Sequence, residues 1–250
     1  MKNILEINNI SFQYKKDESS ILENINLSFK PSEMVAIIGP SGIGKSTLFK
    51  LIVRNKKPTS GVIKINDQDI STFSKKHWKN QMQQIGFLTQ EPNLIETEDV
   101  YTNIKRSIFE YKNWFFKLVN FLTLAQRTKI FQTLDDLEML DKAFYKIIDL
   151  SGGQKQRVEI TKLLIKNAKI ILADEPTSNL DYLTAKDVLA VLRQLTKEKN
   201  LLTIVNIHDL SLVKDFFDRI IILNDKNVIL DRSTKGIELC DIENMIKKTI

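Results

Sequence analysis

What the chain lacks narrows its identity first. A single cysteine, Cys240, in 250 residues excludes an internal disulfide and fits a reducing compartment. No run approaches the roughly 18–20 uninterrupted apolar residues of a membrane-spanning helix. The most hydrophobic stretch, 114–125, is short and carries Lys117 and Asn120. The opening residues, Met1-Lys-Asn-Ile-Leu-Glu-Ile7, alternate like a strand and lack the apolar core of a secretory signal. Repeats, low-complexity tracts and long linkers are missing. The net charge is +6, yet the lysines are scattered and no basic run is interleaved with aromatics. That distribution argues against specific nucleic-acid binding and suits a mildly basic surface beside an anionic membrane leaflet.

What remains is an ordinary globular composition, 42% hydrophobic and 27% charged, in a chain long enough to bury a full core. Two alternating bursts, Ile7/Ile10/Phe12/Tyr14 and Ile25/Leu27/Phe29, predict antiparallel strands joined through the polar segment 15–20. Alternation returns over 61–66, and 85–90 is a further short strand. From Asp99 to about Tyr145 the apolar spacing is helical: Trp114, Leu118, Phe121, Leu122 and Ala125 share one face, and Leu134, Leu137 and Leu140 predict another helix. Strand and helix then alternate again through 169–174, 182–198, 201–206 and 219–223. A hairpin around Asn224–Asn227 and a terminal helix close the chain. Strands interspersed with long helices imply a mainly parallel sheet with both faces covered. The expected organisation is one domain over 1–250. Its core is about 1–90 and 156–250, with an antiparallel N-terminal part, and a helical subdomain is inserted at about 91–155.

Three motifs carry chemistry. Directly after the apolar run Met34–Ile38 comes Gly39, Pro40, Ser41, Gly42, Ile43, Gly44, Lys45 and Ser46, followed by Thr47 and a helix-compatible stretch. A glycine, four free positions and Gly-Lys-Ser between strand and helix form a phosphate-binding loop. Backbone N–H groups curl around phosphates there, and the helix N-terminus adds partial positive charge. Lys45 would reach the β- and γ-phosphates of a nucleoside triphosphate, and the Ser46 hydroxyl would hold Mg²⁺. The second motif is the carboxylate pair Asp174-Glu175, closing the buried run Ile170–Ala173. Asp174 would serve Mg²⁺ or its waters, and Glu175 would act as general base on the attacking water. The third is Leu150-Ser151-Gly152-Gly153-Gln154, standing 20 residues ahead of Asp174.

That last motif resembles the signature of ATP-binding-cassette ATPases, and the rest of the family set follows in order over about residues 2–235. The resemblance implies that Tyr14 stacks on adenine, that Gln90 senses metal and water where core meets helical subdomain, and that His208 contacts the γ-phosphate. It also implies that Asp181, after Ser178-Asn179-Leu180, helps to align a paired site. Lys45, Glu175 and His208 would then carry catalysis, with ATP and Mg²⁺ bound. Two copies would pair head to tail, each offering Ser151–Gln154 to the other's γ-phosphate. His77 lacks such a setting and reads as a surface residue.

As such a cassette without a membrane domain of its own, the chain would be the motor of a transporter at the cytoplasmic face of the membrane. Separate permease subunits would form the pore, and an extracytoplasmic binding protein would deliver the solute. The 114–125 face packs within the helical part or contacts the membrane subunit. The stretches 171–176 and 204–208, with the long 105–127 insertion, look like the phosphonate-import branch and a related mycoplasmal branch. Phosphonate, another phosphorylated compound or thiamine pyrophosphate are compatible cargoes. The rival is a non-transport single cassette of the iron–sulfur assembly or lipoprotein-release type.

Overall fold

Two sheets organise the chain in the computed structural model, in which residues 2–15, 19–108, 122–237 and 242 are described. The first is antiparallel, in the order β2-β1-β4-β5, with β1 Leu5–Phe12, β2 Leu22–Phe29, β4 Ser60–Ile65 and β5 Gln68–Asp69. The second runs β10-β9-β3-β8-β7-β6. Its members are β3 Glu33–Ile38, β6 Ile85–Leu88, β7 Ile170–Asp174, β8 Leu202–Asn206, β9 Arg219–Asn224 and β10 Asn227–Ser233. From β9 to β6 every pairing is parallel, and only β10 runs antiparallel, on β9. The expected α/β cassette, a largely parallel core with an antiparallel sheet and helices, is therefore present.

The central strands are apolar almost throughout because both sheet faces are covered. Val35, Ile37, Leu172, Ile204 and Ile221 face the antiparallel sheet and helix α1, Lys45–Ile52. Their neighbours Ala36, Ile171, Ala173, Val205 and Ile220 face the opposite way, as the two-residue period requires. There they meet α5, Gly152–Ile165, and α6, Tyr182–Glu198. Helix α6 buries Ala185, Val188, Leu189, Leu192 and Leu195, the stripe an amphipathic helix turns to a sheet.

A third apolar cluster joins α3, Val100–Lys105, and α4, Leu124–Asp136, to α5 through Ile104, Ile130, Leu134 and Val158. Helix α4 begins at a capping box, in which Thr123 and Gln126 satisfy each other's backbone N–H groups. It stops sooner than the leucine spacing predicts. Leu137 is its C-cap, Glu138 adopts a left-handed φ of 56°, and Leu140 lies beyond in a half-exposed 3₁₀ turn.

Local departures have physical reasons. Ile7 and Ile10 are both buried although three apart, because Asn9 takes a φ of 51° and the β1–β2 register slips there. Helix α2, Lys75–Gln83, escapes sequence reading: it has no buried residue and is marked mainly by the Ser74 cap on His77 N. His77 itself is exposed and stacks on Phe73 with ring centroids 4.0 Å apart. The predicted hairpin pairs Asn224 with Asn227 across Asp225 and Lys226, both at positive φ, as a tight two-residue turn demands. Trp114, Leu118, Phe121 and all of the expected terminal helix except buried Ile242 lie outside the described residues. No helix among the described residues is long and apolar enough to cross a membrane.

Candidate active site

The sheet order places the motifs before any side chain is considered. Strands β3, β8, β7 and β6 are successive neighbours and parallel, so their carboxyl ends share one edge. The chain leaves those ends through Gly39–Ser46, through His208, through Glu175 and through Gln90 respectively. Ligands of open α/β sheets bind at that edge.

The loop after β3 enters α1 at Gly44, whose φ of 113° turns the chain at the helix N-cap. A Cβ there would also stand 2.8 Å from Leu22, so glycine answers both backbone and packing demands. Lys45 is 5% exposed, and its ammonium donates to Gly39 O at 2.7 Å and Pro40 O at 3.0 Å. Burial pushes its pKa below the ordinary lysine value, against the opposing pull of Glu175 and Asp174. Two backbone carbonyl oxygens thus hold the buried ammonium within the loop. Tyr14, 45% exposed, places its hydroxyl 3.2 Å from Thr47 Oγ1, so the aromatic stands at the rim of the same loop.

Across the edge, Ser46 Oγ donates to Asp174 Oδ1 at 3.0 Å. The same carboxylate oxygen accepts Asn206 Nδ2 at 2.7 Å. Glu175 has a left-handed φ of 53°, and its N–H donates to Asn206 O at 3.2 Å. Its carboxylate then meets His208, Oε1 to Nε2, at 2.7 Å. Ser46, Thr89, Gln90, Glu91, Asp174 and Glu175 line one cleft of about 380 Å³. Gln90 Nε2 donates to Asn179 Oδ1 at 3.1 Å, tying the end of β6 to the loop that follows Glu175.

A hydroxyl, a carboxylate and an amide oxygen form a hard donor set that suits Mg²⁺. Among the described residues no three or more His, Cys, Asp or Glu side chains gather as a metal cage.

The signature lies apart from this cleft. Ser151 caps α5 in a second capping box, its Oγ accepting Gln154 N at 3.3 Å while Gln154 Oε1 accepts Ser151 N at 3.0 Å. Asp181 caps α6, accepting the N–H groups of Leu183 and Thr184, each at 3.1 Å. Gly153 joins the two helix starts: a Cβ there would approach Thr184 Cγ2 to 2.4 Å. Among the described residues no hydrogen bond links Ser151–Gln154 to Gly39–Thr47. Farther along α5, Gln156 Nε2 donates to Thr89 O at 3.2 Å, beside Gln90.

The structure thus gathers Lys45, Ser46, Gln90, Asp174, Glu175 and His208, with Tyr14 at the rim, and keeps Ser151–Gln154 and Asp181 on a second surface. Asn206 is the site residue that motif reading missed. Its signal was a polar amide closing an otherwise buried β-branched strand.

The ABC transporter family pattern matches residues 22–178, from β2 through the loop after Glu175. The chain belongs to the ABC transporter family. It is 36% identical over 245 residues to "Probable ABC transporter ATP-binding protein p29" of Mesomycoplasma hyorhinis, covering 98% of this chain and 97% of the relative. It is 35% identical over 228 residues to the phosphonates import ATP-binding protein PhnC 2 of Oceanobacillus iheyensis, covering 91% and 89%. Among solved structures it is similar to the dimeric post-hydrolysis state of the cassette MJ0796 bound to ADP and Pi. That similarity has a TM-score of 0.77 at 33% identity and covers 93% of this chain and 100% of the other. This ABC cassette is the ATP-binding and ATP-hydrolysing subunit of a transporter.

Proposed function

We propose that this cassette energises solute import through separate permease subunits and that its cargo is a phosphonate or another phosphorylated compound. The observation that carries the cargo class is the 35% identity to a phosphonates import protein over nearly the whole chain. The similarity to transporter ATPases weighs against iron–sulfur assembly or lipoprotein release as the task.

Within the site, the phosphate loop and Lys45 bind the triphosphate, and Tyr14 stacks on the base. Ser46, Asp174 and Gln90 would hold Mg²⁺, which would supply positive charge to offset that of the phosphates. Glu175 accepts the proton of the attacking water. His208 holds Glu175 in place and faces the γ-phosphate. Ser151–Gln154 of a second copy completes the pocket: the exposed start of α5 presents backbone N–H groups and a hydroxyl to an anion. Asp181 fixes the neighbouring helix start, so both elements meet the partner in register. The helical segment, about 91–155, receives the permease at the cytoplasmic face of the membrane, and an extracytoplasmic binding protein selects the solute.

The test is reconstitution. The cassette, co-expressed with a candidate permease and placed in liposomes with a candidate binding protein from the same organism, is assayed for ATP hydrolysis with and without a phosphonate. Stimulation by phosphonate is expected. Stimulation by an unphosphorylated solute alone would overturn the cargo class, and a cassette that never joins a permease would overturn the import role.

A further inference from the structure

Asn206 closes strand β8 fully buried, at 0% exposure. Its Nδ2 donates at 2.7 Å to Asp174 Oδ1, the oxygen that also accepts Ser46 Oγ at 3.0 Å. Its backbone carbonyl accepts Glu175 N at 3.2 Å. One residue therefore holds both members of the carboxylate pair. Asn206 also borders, with Glu175 and His208, a cleft of about 320 Å³.

The other end of the amide is unusual. Asn206 Oδ1 is buried and accepts no hydrogen bond from the described residues. A buried acceptor without a partner is destabilising, and native proteins rarely keep one without a use for it. Reversing the amide offers no relief, because Oδ1 would then face Asp174 Oδ1, a carboxyl oxygen that already accepts from Ser46. A leucine of similar size would fill the position with apolar contacts like those of its strand neighbours Ile204 and Val205.

We propose that Asn206 is a positioning residue for the metal–nucleotide complex. Nδ2 fixes Asp174 against Ser46 in the orientation the cation requires, and Oδ1 is the acceptor kept for the hydrated cation. The inference rests on the reading that Asp174 serves Mg²⁺, and it gives a role in the site to a residue to which the sequence motifs assigned none.

The experiment uses the full chain with a non-hydrolysable ATP analogue and Mn²⁺, whose binding is read by electron paramagnetic resonance. Asn206→Leu, Asn206→Ser and Asp174→Asn are compared with the parent, and each melting temperature is recorded. The Leu variant should melt at or above the parent while its Mn²⁺ affinity falls about tenfold, the weight of a hydrogen bond to a charged group. Its affinity for the analogue without metal should not change. The Ser variant, which keeps a short donor, should lie between, and it carries the test if the Leu variant fails to fold. Mn²⁺ affinity within about twofold of the parent in both Asn206 variants, with a loss in Asp174→Asn, would overturn the role of Asn206 alone. Unchanged affinity in Asp174→Asn as well would overturn the metal role of Asp174 and this inference with it.

Discussion

Glu175 Oε1 and His208 Nε2 stand 2.7 Å apart, each at the carboxyl end of its own parallel strand. The left-handed φ of Glu175 turns its side chain back toward β8, so the contact depends on backbone as much as on side-chain type. A glutamine at 175 can keep that hydrogen bond but cannot take a proton.

Glu175→Gln should therefore leave ATP binding intact and reduce turnover by at least about 10²-fold, the scale of a lost general base. Size-exclusion chromatography with ATP should show the variant accumulating as a pair. Near-normal phosphate release would remove Glu175 from the base role.

Mixing two inactive chains tests the pairing. Lys45→Ala should disable the loop of its own chain, and Ser151→Ala should disable what that chain offers its partner. In a mixed pair one pocket combines an intact Lys45 with an intact Ser151. Hydrolysis should reappear on mixing, and continued silence from folded, paired chains would argue against head-to-tail assembly. Ser151→Ala alone should also cost about 1 kcal/mol at the start of α5, the usual loss of an N-cap. Urea melts read that cost separately from activity.

Lys45 predicts opposite pH behaviour for binding and folding. Its pKa is lower in the folded chain than the ordinary 10.5, chiefly through burial. The unfolded chain thus holds that proton more tightly. The burial cost is fully present below the folded pKa, and stability rises as pH climbs from there toward 10.5. Lys45→Met should lack this rise, so the gap between variant and parent melting temperatures shifts in the parent's favour over that window. Triphosphate affinity should fall more than about tenfold at neutral pH. A constant gap across the window would contradict the burial argument.

Asp181 predicts an acid-side effect. The Thr184 hydroxyl, then the Thr184 and Leu183 N–H groups, hold its carboxyl below the usual aspartate range. Its contribution is therefore present above the unfolded pKa and is lost as pH falls through the lower folded value. Asp181→Asn keeps a capping oxygen but not the charge, so it should melt somewhat below the parent at neutral pH and converge with it in acid. Thermal melts across acid pH read the difference, and parallel acid curves would contradict the assignment.

The fold was legible where burial simplifies sequence. Strands β3, β7, β8 and β9 are almost purely apolar because both sheet faces are covered, and α6 repeats at helical spacing because one face is. The phosphate loop and the Asp174-Glu175 pair were legible because backbone-dominated phosphate sites tolerate few spellings. Helix α2 was not, since it has no buried side chain from which to read a period. The early stop of α4 was hidden because Glu138 adopts a left-handed conformation at an ordinary glutamate. Asn206 was hidden for another reason: its importance comes from strand β7 lying beside β8, a pairing set by the whole sheet rather than by neighbours in sequence.

Helix α5 has a consequence for how two cassettes would share work. Its capped start faces outward at Ser151, and five residues later Gln156 grips the Thr89 carbonyl beside the chain's own Gln90. A rigid helix moves as one body, so if a neighbour's nucleotide engages Ser151, a tilt of α5 would carry Gln156 and the wall of the chain's own cleft with it. Crosstalk between two paired pockets would then run through this single helix.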